Sequence, residues 1–421
     1  MMHILLKSAK IVAPSSPFNG QIQDILIENG VITNIAAGIQ HPSAQVVTGP
    51  NLHVTTGFTD VFAHFCDPGQ EYKEDLQSGA MAAAKGGFTT VMIVPNTQPA
   101  LHTKSQIEYV LSKTRYGAVR VLPIGAITKN LEGTSLAEMY EMKETGAVAF
   151  SDGLKPVQAS GIMLKALQYV KAFSGTIIQV PDDTSISGHG LMHEGVFSTR
   201  LGMPGKPAIA EEIMIKRDLD LLRYTESRLH FTGVSTRKAI ELIAAAKTEG
   251  LSVTCSATPY HLLFTEEDLV TYDSFLKVSP PLRSQDDVQA LRDAVINGVV
   301  DCIATHHQPQ DWDAKQVEFE YAKPGMIGLE TAFSALLTAL PGLSPERLSE
   351  LLSINPRKIF NLPELTIAKG APANLTLFDP AEEYQFTDGH IGSKSKNSPF
   401  IGRKMTGTVK GIINNNQAYL A

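Results

Sequence analysis

The chain has 421 residues, 43% hydrophobic and 19% charged, with a formal charge of -7 and a mean hydropathy of -0.02. This balance excludes a disordered or fibrous chain and leaves no overall basic field for nucleic acid. No apolar run approaches the ~18 residues of a bilayer span, the opening MMHILLKSAKIVAPSSP is too short and mixed for a signal peptide, and Cys66, Cys255 and Cys302 form no CxxC pair.

A cytoplasmic protein in a reducing compartment is therefore expected, without a membrane or nucleic-acid partner. Over the first fifty residues, short apolar runs such as Ile4-Leu5-Leu6, Asp24–Ile27 and Val31–Ile35 alternate with Gly and Pro, which predicts antiparallel strands. From Gly57 the rhythm becomes strand, loop, helix. After the first run, GFTDVFAHFCDPG at 57–69, strand-like runs lie at Thr89–Val94, Val119–Ile124, Ala147–Phe150, Thr176–Val180, Arg228–Phe231, Ser252–Cys255 and Val300–Ala304. Repeated βα units over ~300 residues predict an α/β fold, a (β/α)8 TIM barrel with its chemistry at the C-terminal strand ends. Strands return at Ala373–Phe378 and Gly407–Ile413. The expected division is a composite β-domain from 1–53 plus 364–421 beside a barrel at 54–363, because edge strands left alone are unstable.

The run DPGQEYKEDLQSGAMAAAKGGFTTVMIVPNTQP (67–99) resembles the corresponding segment of class I dihydroorotases, within the amidohydrolase superfamily. The segments VSTRKAIELI, VSPPLR, KPGMIGLETA, INPRKI, ANLTLFDP and SKSKNSPFIG resemble the same family in the same order. The resemblance implies an amidohydrolase-type TIM barrel with a small β-domain. The family's reaction is the zinc-assisted, reversible cyclisation of N-carbamoyl-aspartate to dihydroorotate in pyrimidine biosynthesis.

That reaction needs a hydroxide at neutral pH, which zinc supplies by lowering the pKa of bound water to ~7. The family's ligands are an HxH pair after strand 1, an Asp in an Asp-Asp-Gly turn after strand 4, histidines after strands 5 and 6, and an Asp after strand 8 that also acts as general base. Position by position, the resemblance finds most of them replaced. Phe62 stands for the first histidine and His64 remains; Val180 and Gly233 stand at the next two histidine positions; His306 holds the general-base position. In Ser151-Asp152-Gly153 one acid stands where two are expected, and ungapped matching does not decide whether Asp152 or its neighbour is the ligand equivalent. Cys66 replaces the arginine that would clamp a carboxylate, a pair worth roughly 1.5–3 kcal/mol. Gln310 replaces a histidine and Ser279 an asparagine, while Asn96 and the Pro324-Gly325 loop remain as a substrate-binding remnant.

Each survivor has a structural reading beside the chemical one. His64, Asp152 and His306 would share one barrel face and form a weak mononuclear metal candidate, yet a lone histidine at a strand end is more often hydrogen-bonded structure. His306 and His307 should point to opposite faces if the strand runs through them. Cys66 is read as packing, Lys155 as solvated, and Asp182-Asp183 and Glu211-Glu212 as solvated faces. Asn96 is read as a ligand contact or a turn cap.

The expectation is a dihydroorotase-like pseudoenzyme, with no cofactor and no assignable catalytic residue, acting as a structural or regulatory partner of aspartate carbamoyltransferase and forming homo-oligomers. The alternative is an active dihydroorotase or related cyclic amidase with a rebuilt zinc site. A third possibility is retained binding of a carbamoyl-aspartate- or dihydroorotate-like ligand without catalysis.

Overall fold

The structure, a computed structural model, describes residues 2–421. The N-terminal segment forms strands β1 (His3–Val12), β2 (Ile22–Glu28), β3 (Val31–Ala36), β4 (Gln45–Val47) and β5 (His53–Thr56). Asn29 and Gly30 join β2 to β3 with φ of 51° and 79°, the paired positive values that a two-residue hairpin turn requires. β1–β2 and β2–β3 are antiparallel as expected. β4 and β5 instead run parallel to β1, because each reaches it through a connection rather than a tight turn.

The next strands are β6 (Phe58–Ala63), β7 (Phe88–Ile93), β8 (Arg120–Pro123), β9 (Ile177–Gln179), β10 (Met192–His193), β11 (Gly205–Lys206), β12 (Leu229–Thr232), β13 (Val253–Ala257) and β14 (Cys302–Ile303). β6-β7-β8 and β9-β12-β13-β14 are parallel arcs, and β10-β11 is a separate short pair. Residues 147–150 close the gap between β8 and β9: Phe150 bridges Gly125 on one side and Ile177 on the other. The Ala63–His307 bridge joins the last strand to the first. This closed ring of parallel strands is the expected (β/α)8 TIM barrel. Every residue of β6 and β7 is buried, as in parallel strands covered on both faces.

After the barrel, β15 (Leu375–Gln385), β16 (Lys404–Asn414) and β17 (Gln417–Leu420) return to the N-terminal sheet. Leu375 pairs with Thr56, giving the order β17-β16-β15-β5-β1-β2-β3. Ile4, Leu6, Ile25, Ile27, Leu375 and Leu377 share its core. Among the described residues, no helix is long and apolar enough to cross a membrane.

Candidate active site

Strand periodicity puts alternate side chains inside the barrel. Met92, Leu122, Ile178 and Ala304 form one apolar cluster, while Val91, Val121, Ile177 and Ile303 join the core that includes the surrounding helices. Phe62 and Val180, at two of the expected histidine positions, belong to the inner cluster, and Phe62 is 1% exposed. At these two positions the interior is lined by hydrocarbon.

His306 rests on this lining, its ring centroid 4.5 Å from that of Phe62. Its Nε2 lies 2.8 Å from Thr232 Oγ1, which accepts from Ser256 Oγ at 2.9 Å; that hydroxyl lies 3.1 Å from His230 Nε2. Thr254 Oγ1, 2.8 Å from His230 Nδ1, ends the chain. Burial, reinforced by nearby His261 and His230, depresses His306 to about 3; burial and then Lys247 depress His230 to about 3. Both rings are therefore neutral at pH 7. Gly233 adopts φ 71°, and a Cβ there would stand 2.6 Å from His306 Cε1.

His64 turns the other way. Its Nε2 lies 3.0 Å from the Asn96 carbonyl, which places the proton on that nitrogen and leaves the Nδ1 lone pair 3.6 Å from Cys66 Sγ. Burial lowers His64 to about 4 and raises the Cys66 thiol to about 12, so this cysteine is no nucleophile at neutral pH. Asp152 is occupied by backbone: Oδ1 accepts from the amides of Ile127 and Thr128 at 2.9 Å each, and Oδ2 from Thr128 Oγ1 at 2.5 Å. Burial raises its carboxyl, with those bonds opposing the shift.

Asn96 latches the same loop. Its Oδ1 accepts from Leu154 N at 2.9 Å and its Nδ2 donates to Asp152 O at 3.1 Å. A Cβ on Gly153 would meet Asn96 Oδ1 at 1.8 Å, so Asn96 fills the space above the turn that carries one acid instead of two. The remaining positions line the loops around the mouth. Gln310 donates from Nε2 to Pro324 O at 2.8 Å, and Gly325 donates to Lys277 O at 2.8 Å and accepts from Asn397 Nδ2 at 3.1 Å. Ser279 is exposed, 3.5 Å from Lys206 Nζ.

His307 takes different partners from His306, but strand alternation is not the cause: β14 ends at Ile303 and His306 adopts φ 45°. His307 Nδ1 accepts from the amides of Gly328 (3.2 Å) and Leu329 (3.3 Å), leaving the proton on Nε2, 3.4 Å from Glu74 Oε2. Both side chains are fully buried. Burial alone would raise the Glu74 carboxyl, but His307 and the hydroxyls of Ser393 and Ser78 hold it below the usual range.

The solvated reading of the acidic pairs requires correction. Glu211 is 1% exposed and accepts from Ser235 N at 2.8 Å, Thr236 N at 3.1 Å and Arg283 Nη2 at 3.1 Å. Glu212 is half-buried, Asp182 is bound to Lys206 Nζ at 2.6 Å, and Asp183 caps the short helix Thr184–Ser187. Arg283 lies in VSPPLR, and that otherwise apolar, Pro-rich segment was the one sequence signal of a buried charge seeking a partner. Lys155 is exposed.

Compared with known proteins, the chain is 40% identical over 410 residues to a protein named dihydroorotase from Acetivibrio thermocellus, covering 96% of each. The chain belongs to the dihydroorotase-like amidohydrolase family. Dihydroorotases from Ruminiclostridium cellulolyticum and Anaeromyxobacter dehalogenans are 41% and 40% identical, covering 96% and 94% of those proteins and 96% of this chain in each case. The dihydro-orotase-like family model matches residues 53–239 and the amidohydrolase family model residues 185–416. L-hydantoinase (dihydropyrimidinase) from Arthrobacter aurescens shares the fold with a TM-score of 0.84 at 24% identity, over 99% of this chain and 96% of that one.

The zinc that the dihydroorotase resemblance implies is not matched by the donors at this mouth. His64 is turned to Asn96, Asp152 to the 127–128 amides and His306 to Thr232. Among the described residues, three His, Cys, Asp or Glu donors lying within 4.8 Å of one another occur instead at His3, Glu28 and His41, on the terminal sheet.

Proposed function

We propose that this dihydroorotase-family chain no longer hydrolyses or closes a cyclic amide, and that it serves pyrimidine biosynthesis as a structural or regulatory partner of aspartate carbamoyltransferase. The observation that carries the loss of catalysis is the incorporation of Phe62 and Val180 into the apolar interior of the barrel. A polar metal cage and a packed hydrocarbon plug cannot share that volume. The group at the general-base position, His306, is depressed to about 3 by burial, far from the near-neutral value at which a general base is effective.

The partnership rests on the family resemblance, in which some dihydroorotase-like chains without activity assemble with the carbamoyltransferase. Co-purification from the native cell extract tests it: the chain should travel with carbamoyltransferase activity. Recovery of the chain alone, as a monomer or a homo-oligomer, would count against it.

The identity to proteins named dihydroorotase favours a second reading, an active enzyme with a rebuilt site. That reading requires about one equivalent of zinc at the mouth and dihydroorotate turnover abolished by His64→Ala or His306→Ala. Under the first reading, turnover stays at the buffer rate in metal-replete assays. Retained binding of carbamoyl-aspartate or dihydroorotate without turnover would appear as a ligand-dependent rise in Tm.

A further inference from the structure

The terminal sheet brings two imidazoles onto one carboxylate. His3 opens β1 and is the register partner of Glu28 at the end of β2, while His41 lies in the segment between β3 and β4. His3 Nδ1 and His41 Nε2 each stand 3.5 Å from the same Glu28 Oε1, and the rings are 5.1 Å apart. That separation exceeds a good N–H···O hydrogen bond of ~2.7–3.2 Å. It matches the ~3.3–3.6 Å edge of a tetrahedron built on metal bonds of ~2.0–2.2 Å. His3 Nδ1 is buried without a hydrogen-bond partner, an orphaned atom 3.5 Å from the shared oxygen.

Backbone pairing holds these donors in place. Asn29 N donates to Met2 O at 2.9 Å beside His3 and Glu28, and β4, which follows His41, pairs with β1 through Ile4 and Gln45. The side chains keep 23%, 31% and 19% exposure for His3, Glu28 and His41, so an ion can enter from solvent and water can complete its shell.

We propose that His3, Glu28 and His41 bind a first-row divalent transition-metal ion of the zinc, cobalt and nickel class. Two imidazoles and one carboxylate suit these ions; the oxygen count is too low for calcium or magnesium, and no thiolate favours monovalent copper. The ion ties β1, β2 and the segment before β4 at one point. This site is independent of the barrel mouth and does not rest on the proposed function.

The test uses untagged full-length protein, stripped with chelator and titrated with Zn2+ by calorimetry and with Co2+ by visible absorption. One equivalent should bind, with the band intensity of tetrahedral cobalt, and it should persist in the His64→Ala/His306→Ala double variant. His3→Ala, His41→Ala and Glu28→Gln should each lose it. His41→Cys should recover Co2+ with a thiolate charge-transfer band, which excludes misfolding as the cause of loss. Absence of binding to the unaltered protein overturns the proposal, as does a stoichiometry that His41→Ala leaves unchanged.

Discussion

The ring of His306 takes the space that a side chain at position 233 would need, since a Cβ on Gly233 would lie 2.6 Å from His306 Cε1. Gly233→His should lower stability by about 1–3 kcal/mol through overcrowding, with a further contribution from the left-handed φ of 71°. Adding His306→Ala should restore part of the loss. Urea unfolding of both singles and the double measures the coupling, and strictly additive costs would contradict the contact.

Asp152 distinguishes a loop clamp from a metal ligand. Asp152→Asn keeps an oxygen for the Ile127 and Thr128 amides and should cost less than Asp152→Ala, which strands buried donors at about 1–3 kcal/mol. Chemical denaturation orders the two variants. A zinc-binding loss in Asp152→Asn with unchanged stability would support a ligand role instead.

Glu211 and Arg283 form a pair exposed by only 1% and 2%. Glu211→Gln or Arg283→Met alone should destabilise by about 3–5 kcal/mol, because each leaves a buried charge without its partner. The double variant should cost less than the sum, as measured by equilibrium unfolding.

Asp60 provides a pH signature. Thr305 donates to it from N and Oγ1, both at 2.7 Å, but burial outweighs these bonds and raises the carboxyl to about 6. Between the unfolded value of 3.8 and about 6 only the folded state holds the proton. The contribution to stability is therefore complete below 3.8 and lost as pH rises through about 6. The stability of the unaltered protein relative to Asp60→Asn should fall by roughly 1.4 kcal/mol between pH 5 and 7.5. A pH-independent difference between the two would show that Asp60 does not titrate in this range.

The barrel was legible because its strands are local events. Apolar runs such as Thr89–Val94 announce a buried parallel strand wherever the rest of the chain lies. That Phe62 and Val180 cannot ligate a metal was legible for the same reason, since neither side chain offers a donor in any conformation. The parallel pairing of β4 and β5 was not, because it depends on where connections carry the chain.

By itself, then, the sequence determined the barrel class through its short-range period, and the family resemblance marked which expected ligand positions hold a side chain without a donor. Only the tertiary structure decided how the remaining polar groups are used. Asp152 reaches back 24 residues to Thr128, His306 74 residues to Thr232, and Glu211 forward 72 residues to Arg283. A carboxylate or an imidazole looks the same in sequence whether it faces water, an amide or another charge. Its chemistry is set by the partner that folding brings to it and by the solvent that folding removes.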